Sequence, residues 1–212
     1  AWFNPYRVAT HTDRTRLVAS HPARKHPDWV VTYGGKLYYN PGLPKVRAFV
    51  QDAMMDAVKK YPVDAVHFDD YFYPYPVAGQ SFDDDAAYDA HGGAFSNRAA
   101  WRRDNIDRLV LETAARIKPY GPPPSSGSAL RGVAQRLHRL PRLGHQGVAV
   151  VRRHPRRHPE VVKNGWIDYI VPQLYWHIGN SAADYAELVP WWADVVKGSR
   201  TRLYLGEALY RA

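Results

Sequence analysis

Residues 66–76 read Val-His-Phe-Asp-Asp-Tyr-Phe-Tyr-Pro-Tyr-Pro, and this stretch is the strongest guide to the fold. The run Val63–Phe68 has the apolar character of a buried strand, and it ends directly at two carboxylates, Asp69 and Asp70. Aromatic side chains follow at once, and two prolines stiffen the backbone that carries them because each proline ring fixes φ. The pattern predicts a strand that leads into a rigid loop of acids and rings.

Carboxylates beside aromatic rings at the end of a strand are typical of sites that cleave carbohydrates. The acids can transfer protons or act as a nucleophile, and flat rings stack on the apolar faces of sugars. An Asp-Asp pair alone is more often a solvated turn, because most surface carboxylates have no chemical role. The rings of Tyr71, Phe72, Tyr73 and Tyr75 favour the binding interpretation, since loops rarely expose so many rings without a ligand or partner.

The composition of the chain bounds its class. The chain has 212 residues, 45% of them hydrophobic, which is enough to form a core. It has no cysteine, which excludes disulfides and cysteine-ligated metal. No stretch predicts a membrane span, and no signal peptide is evident at the start. Because Ala1–Arg7 reads as a strand end that enters a loop, we expect further sequence to precede it.

Strand-like and helix-like segments alternate along the chain. Helical apolar spacing predicts helices at residues 44–60, about 98–118, and 182–196, with Pro190 as a candidate break in the last. Strands are predicted at Trp2–Tyr6, Val63–Phe68, Ile167–Leu174 and Arg202–Leu205. Acidic and aromatic residues gather after the strands, which is the asymmetry of a parallel (β/α) barrel with its site at the strands' carboxyl ends.

The net charge of +9 is a feature of nucleic-acid-binding proteins, but this charge is concentrated in one segment. Gly121–Glu160 holds eight arginines and the single acid Glu160, a net +7 that leaves only +2 for the rest of the chain. This distribution argues against a nucleic-acid partner. The segment has no apolar period, and two interpretations stay open: residues 121–161 are a basic disordered loop, or they are read out of frame.

A reading-frame error accounts for the repeated Arg-Arg-His-Pro of residues 152–159, because GC-rich DNA read out of frame gives such repeats. In a shifted frame, Leu130–Arg136 is compatible with F-G-V-W-R-N and Val150–Val161 with a string that begins S-Y-D-D. The original frame resumes near Val162 under this hypothesis. Resequencing the gene across the region tests it, and an intact frame would contradict it.

Several motifs together resemble the glycosyl hydrolase-like 10 family, formerly a domain of unknown function. They occur in order on both flanks of the basic segment, over residues 1–118 and 162–210, and the shifted-frame strings resemble the family too. The motifs are Ala-Trp-Phe-Asn-Pro-Tyr-Arg (1–7), His-Pro-Ala-Arg (21–24), Tyr-Gly-Gly-Lys-Leu-Tyr-Tyr (33–39), His67–Pro76, Trp101-Arg102-Arg103 and Trp166–Trp176.

The resemblance implies an α/β fold of the TIM-barrel type. It also implies that the protein hydrolyses a polysaccharide or oligosaccharide, such as peptide-free peptidoglycan strands, and that it does so outside the cell or in its envelope. A carbohydrate-binding barrel without turnover is the alternative. By the order of motifs, residues 1–212 form one incomplete barrel domain with strands three, four, six and seven. The first, second and eighth strands would be absent, and the fifth would be lost within residues 121–161. No cofactor is implied.

The alternation of side chains along a strand selects the candidate acids. His67 and Asp69 share the face predicted to line the barrel lumen, and Asp69 is the first candidate for the catalytic or ligand-orienting carboxylate. Asp70 is a second candidate, and an equal interpretation is that it bonds to the amides of its own loop. Because a two-carboxylate mechanism needs a partner acid, Glu207 after the seventh barrel strand is a third candidate, although the resemblance does not support it.

A wider set of side chains is predicted to bind the substrate. Arg7 could hold a carboxylate of the substrate or of a catalytic acid, and Trp176 is either a stacking platform or a loop-packing residue. His67 either hydrogen-bonds Asp69 or is a satisfied lumen histidine, and the second is favoured. The set is Asn4, Arg7, His67, Tyr71, Tyr73, Tyr75, Gln173, Tyr175 and Trp176. No metal site is predicted, because the histidines are scattered and residues 83–85 read as the acidic start of a helix.

Overall fold

Helices alternate with strands along the chain, as the sequence predicts. A computed structural model describes residues 1–69, 73–120, 133–137, 159–181 and 183–208, with the backbone alone at 133–137 and 159–160. The chain divides into two compact units. The first unit comprises Ala1–Phe3, Val58–Asp69 and Val110–Ala212, and the second comprises Asn4–Ala57 and Asp70–Leu109. The single incomplete domain expected from the resemblance stays a prediction.

The described residues form the following elements. The strands are β1 (Trp2–Phe3), β2 (Arg7–Ala9), β3 (Val30–Tyr33), β4 (Lys36–Tyr39), β5 (Val66–Asp69), β6 (Val133–Leu137), β7 (Tyr169–Pro172) and β8 (Arg202–Leu203). The helices are α1 (Pro22–Lys25), α2 (Pro44–Lys60), α3 (Asp85–His91), α4 (Arg98–Ile117), α5 (Pro159–Lys163) and α6 (Tyr185–Val196). Among the described residues, no helix combines the length and the apolar character needed to cross a bilayer.

The first unit is built on a five-stranded parallel sheet with the order β1-β5-β6-β7-β8. The strands lie side by side in the order in which the chain reaches them. Because every neighbouring pair is parallel, their carboxyl ends share one edge of the sheet. Parallel neighbours need crossover connections, and helices supply them in α/β proteins. The predicted α/β class is therefore confirmed, while closure of the sheet into a barrel stays a prediction.

Strand β6 corrects the prediction that the fifth barrel strand is lost. It lies inside the basic segment and pairs in parallel register with β5 on one side and β7 on the other. Its sequence, Val-Ala-Gln-Arg-Leu, lacks the continuous apolar run of a buried parallel strand. The ladder bonds are made by backbone groups, so a polar centre does not prevent a strand there. Residues 121–132 and 138–158 lie outside the described part of the chain, and the reading-frame hypothesis stays open.

Helix α6 is continuous through Pro190, where the sequence indicated a candidate break. The proline removes only the hydrogen bond that its own amide would donate to residue 186, one turn earlier. Buried Leu188 and Trp192 lie four residues apart and therefore on one face of the helix. The Asp184 side chain accepts from the amide of Ala186 and caps the helix. Packing and capping thus offset the missing bond.

The second unit contains a three-stranded antiparallel sheet, β2-β4-β3, that the sequence analysis did not predict. Strands β3 and β4 form a hairpin across Gly34 and Gly35, whose φ values are 55° and 73°. Positive φ at both turn positions matches the twist of a two-residue hairpin, and glycine adopts it without strain. A Gly-Gly pair between two aromatic β-prone runs is the signal that predicts this hairpin.

A buried indole organises the interior of the second unit. Trp101 of α4 is 1% exposed, and its ring packs so closely on Gly42 that a Cβ there would lie 2.4 Å from the nearest ring atom. The Asn40 side chain accepts from the Gly42 amide at 2.9 Å and holds this turn at the start of α2. Only glycine fits this approach of backbone to ring.

A charge pair is buried in the same unit. Arg102 donates from Nε to Oδ2 of Asp84 at 2.7 Å and from Nη2 to Oδ1 at 2.5 Å. Nη2 also donates to the carbonyl of Phe82 at 3.2 Å, and Arg98 contacts the same carboxylate at 3.4 Å. The Asp84 side chain is fully buried and precedes α3, as the acidic cluster predicts. Its carboxylate binds α4 through two arginines instead of capping α3.

We expect Asp84→Asn to lower the free energy of unfolding by about 3 kcal/mol, because removing one partner leaves the Arg102 charge partly buried without its counter-ion. Denaturant unfolding of both proteins measures this difference. Asp83→Asn is the matched control, since Asp83 is exposed and its substitution should cost less than about 0.5 kcal/mol. Equal losses in the two variants would contradict the structural role of the pair.

Candidate active site

Asp69 ends strand β5 at the carboxyl edge of the parallel sheet. Its side chain is buried, with 8% exposure. Val66 and Phe68 are also buried, and strand alternation places them on one face of the sheet and His67 and Asp69 on the other. A carboxylate that is buried at the end of an inner parallel strand is well placed for chemistry at that edge.

His67 lies between two aromatic side chains on the face that carries Asp69. The Trp2 ring is 4.4 Å from it on one side, centroid to centroid, and the Tyr169 ring is 6.0 Å away at an interplanar angle of 26° on the other. The hydroxyl of Tyr169 lies 3.3 Å from Nδ1 of His67. The interpretation of His67 as a satisfied histidine on this face stays a prediction.

Tyr169 sits in a polar but desolvated environment. Burial raises the pKa of its hydroxyl, and the nearby Tyr204 and Asp168 raise the pKa further. The Tyr204 ring packs edge-on against it with the centroids 5.8 Å apart. Tyr169 therefore stays protonated across the working range of most proteins. Tyr169 was not among the site residues predicted from the sequence.

The chain that leaves β7 carries three predicted substrate-binding residues. Gln173 is 2% exposed and pairs with Gly206 in a parallel bridge, and its role in substrate binding stays a prediction. Tyr175 and Trp176 are half-buried. The amide of Gly206 donates to the carbonyl of Pro172 at 2.9 Å, and the amide of Leu174 donates to the carbonyl of Gly206 at 3.0 Å. These bonds extend the pairing of β7 and β8 beyond the strands.

Glu207 follows this bridge and is exposed. The hydroxyl of Tyr185, at the start of α6, donates to Oε1 of Glu207 at 2.7 Å. This hydrogen bond is the main cause that raises the pKa of Tyr185, with burial and the charge of Glu207 adding to it. The pairing was missed by the sequence analysis, since nothing in the chain marks a tyrosine 22 residues before Glu207 as its partner.

The two described candidate acids lie on non-adjacent strands. Strands β6 and β7 stand between β5, which ends at Asp69, and β8, which precedes Glu207. Neighbouring strands are about 4.8 Å apart, so the two backbones are separated by about 14 Å along the sheet before any curvature. Carboxyl groups of glycosidases lie about 5 to 9.5 Å apart. Asp69 and Glu207 would need curvature of the sheet and the reach of both side chains to act together.

The remaining predicted residues belong to the second unit or lie outside the described residues. Asn4 is half-buried, Arg7 is half-buried on β2, and Tyr75 is exposed. Asp70 and Tyr71 fall outside the described part of the chain. The assignment of all five residues to the site stays a prediction.

Tyr73 is held within the packing of the second unit. Its ring meets Phe82 edge-on at 5.4 Å, and the guanidinium of Arg102 lies 5.1 Å from the ring centre. Its hydroxyl accepts from Nδ2 of Asn105 at 3.1 Å, and burial raises its pKa well above the usual value. These contacts give Tyr73 a structural role, and its role as a stacking platform stays a prediction.

The second unit also contains an open cavity of about 410 Å³. This volume is within the range of small-molecule sites. Of the predicted catalytic and substrate-binding residues that the structure describes, none lines it. Its walls are Arg14, Pro27, Asp28, Val30, Val31, Thr32, Asn40, Leu43, Asp83, Asp84, Ala86 and Ala87. In the described part of the chain, no group of histidine and acidic side chains could hold a metal ion.

Comparison with known families places the chain. The family model for glycosyl hydrolase-like 10 proteins matches residues 1–212. The chain belongs to this family. The resemblance drawn from the motifs is confirmed, and the match runs through the basic segment as well as its flanks.

Two curated relatives of this family are similar over the whole chain. Glycosyl hydrolase YngK of Bacillus subtilis (strain 168) is 46% identical over 216 residues, which cover 100% of this chain and 42% of YngK. Glycosyl hydrolase DigH of Escherichia coli (strain K12) is 38% identical over 222 residues, covering 100% of this chain and 50% of DigH. The chain thus spans half or less of the length of these relatives.

One solved structure has a weaker likeness. It is the crystal structure of Aspergillus fumigatus Ega3 in complex with galactosamine, with a TM-score of 0.45 and 13% identity over 97% of this chain and 59% of that one. A score of this size does not by itself establish a common fold.

We expect Glu207→Gln to lower the pKa of Tyr185 towards the ordinary tyrosine value. A neutral amide accepts the phenolic proton less strongly than a carboxylate and does not repel the phenolate. Titration of ¹³C-labelled tyrosine by NMR measures the change. Glu187→Gln is the matched control, because it removes the same charge from the first turn of α6. Equal shifts in the two variants, or none in Glu207→Gln, would contradict the hydrogen bond.

Proposed function

We propose that the protein is a glycoside hydrolase that uses Asp69 as an essential carboxylate at the carboxyl edge of a (β/α)-barrel sheet. The observation that carries the proposal is the placement of Asp69, buried at the end of an inner parallel strand. Burial strengthens the interactions of a charged group with its surroundings, which suits a carboxylate that transfers a proton or steadies a developing cation. Membership of the glycosyl hydrolase-like 10 family supports the reaction class.

The substrate is a polysaccharide. Two exposed rings in the first unit offer stacking surfaces for sugar rings. Trp2, 58% exposed, is in register with His67 of β5, and Tyr204, 44% exposed, packs edge-on against Tyr169 of β7. Peptide-free peptidoglycan strands are the substrate proposed from the family resemblance, together with a location outside the cell or in its envelope. Neither follows from the contacts of the described residues.

A non-catalytic carbohydrate-binding barrel is the second candidate function. The observation that favours it is that β6 and β7 stand between the strands that carry Asp69 and precede Glu207. Only curvature of the sheet and the reach of both side chains would bring the two carboxyl groups within the usual distance of paired glycosidase acids. A hydrolase then needs a second acid from a strand next to β5 or from the loop after Asp69, and both Asp70 and the chain that follows β6 lie outside the described residues.

We expect Asp69→Asn to reduce glycan hydrolysis by about 10² to 10⁴-fold while the variant still binds the glycan, since the amide keeps the shape of the carboxyl group but cannot transfer a proton. The assay is the release of reducing ends from denuded peptidoglycan and a panel of other polysaccharides, with products identified by mass spectrometry. Asp64→Asn is the matched control, because Asp64 is an exposed acid just before β5.

Two outcomes would contradict parts of this proposal. Full activity in Asp69→Asn would exclude Asp69 as the essential acid. Glycan binding without the release of products from any polysaccharide, by the unaltered protein, would replace the hydrolase with the binding barrel.

A further inference from the structure

The open cavity of the second unit has walls of mixed chemistry. Its volume of about 410 Å³ suits a small ligand rather than a long chain. Hydrogen-bond donors, hydrogen-bond acceptors and apolar side chains all line it, among them Arg14, Thr32, Asn40, Asp83, Val30 and Leu43. Small-molecule sites combine apolar walls with a few well-placed polar groups in this way.

Asn40 holds a fixed donor in the wall of this cavity. The residue is only 6% exposed, and its backbone amide donates to the carbonyl of Trp29 at 2.8 Å. Its Oδ1 accepts from the amide of Gly42 at 2.9 Å, and because an amide N–H needs an acceptor, this contact assigns which side-chain atom is Oδ1 and which is Nδ2. Within the residues that the structure describes, Nδ2 makes no hydrogen bond. An acceptor on a ligand in the cavity would satisfy this buried donor.

Arg14 supplies further donors to the same cavity. Its side chain is half-buried. In the described part of the chain, its guanidinium makes one hydrogen bond, from Nη2 to the carbonyl of Val30 at the long distance of 3.5 Å. A guanidinium has five N–H donors, so most of them remain available to a ligand.

The charges on the wall of the cavity balance. Asp28 and Asp84 are each bound by basic side chains that do not line it. The charged groups that remain on the wall are Arg14 and Asp83, which are opposite in sign. A phosphate or carboxylate would be repelled by Asp83 and an amine by Arg14, so this balance favours a ligand without charge.

We propose that this cavity is a binding site for one neutral sugar unit. A sugar carries several hydroxyl groups that each donate and accept, so it matches Asn40 and Arg14 as donors and Asp83 as an acceptor. The C–H groups of the sugar ring would contact the apolar part of the wall. The inference goes beyond the proposed function, because the site uses none of the described residues assigned to catalysis.

The side-chain amide of Asn40 gives a direct readout of binding in the full chain. Asparagine NH₂ groups give their own NMR signals in ¹⁵N-labelled protein, and Asn40→Asp identifies the Asn40 signal by its loss while keeping an acceptor for the Gly42 amide. The probes are the methyl glycosides of glucose, galactose, mannose and N-acetylglucosamine, and we expect at least one to shift this signal. Analogues of that sugar with an amine or a carboxylate should bind about tenfold more weakly.

Variants of the wall test which side chains hold the sugar. We expect Asp83→Asn and Arg14→Gln each to weaken binding of that sugar about tenfold, because each removes a charged hydrogen-bonding group. Asp89→Asn and Arg16→Gln are the matched controls, since they make the same changes at nearby exposed residues that do not line the cavity. Both controls should keep the dissociation constant of the unaltered protein.

Three results would overturn the inference. They are an Asn40 signal that no neutral sugar of the panel shifts, a charged analogue that binds as tightly as the neutral sugar, and equal weakening in the wall variants and their controls. The Asn40 signal reports on this cavity and not on Asp69. A protein that fails to hydrolyse any glycan therefore leaves the inference standing, whereas an unmoved Asn40 signal overturns it even in an active hydrolase.

Discussion

The backbone ladder of the five-stranded parallel sheet is the constraint on which the first unit depends. Each inner strand must satisfy its amides and carbonyls on both sides, because buried backbone groups without partners are costly. This requirement aligns the strands in one direction and brings their carboxyl ends to one edge. Asp69, Gln173 and Glu207 are far apart in sequence, yet each follows or ends a strand at that edge. The backbone hydrogen bonds of the sheet and the shared direction of its strands thus bring these candidate residues to one edge.

The second unit depends on a different kind of interaction. Asp84, which precedes α3, is joined to α4 by contacts of its carboxylate with the guanidinium groups of Arg98 and Arg102. The Arg102 side chain also lies against the rings of Tyr73 and Phe82, so one cation links a charge pair with an aromatic cluster. A buried ion pair contributes little net stability but sets which partners can meet. We infer that this pair fixes the arrangement of α3 against α4.

Elements with a strong local pattern could be predicted from sequence. Helix α2 begins at Pro44 and ends just before Tyr61-Pro62, and the apolar run before Asp69 is a strand. Strand β6 could not be predicted, because its polar central residues lack the apolar pattern of a buried strand. It is formed by backbone hydrogen bonds to β5 and β7, which are distant in sequence. Within the candidate site, strand alternation puts Asp69 and His67 on one face of β5, and their roles stay predictions. The contacts of Tyr185 with Glu207 and of Tyr169 with His67 depend on side chains brought together by tertiary packing, which no local spacing encodes.

The contact between Gly42 and the Trp101 ring has a consequence for protein engineering. In a mutational library across the turn before α2, most substitutions at residue 42 would prevent folding, because any side chain there would clash with the indole of Trp101. The exposed residue Thr32 of the neighbouring hairpin lines the open cavity of the same unit and has no such restriction. Changes aimed at new ligand preferences should therefore vary the hairpin and keep residue 42 constant. Residues 32 and 42, only ten positions apart, therefore differ widely in their tolerance to substitution.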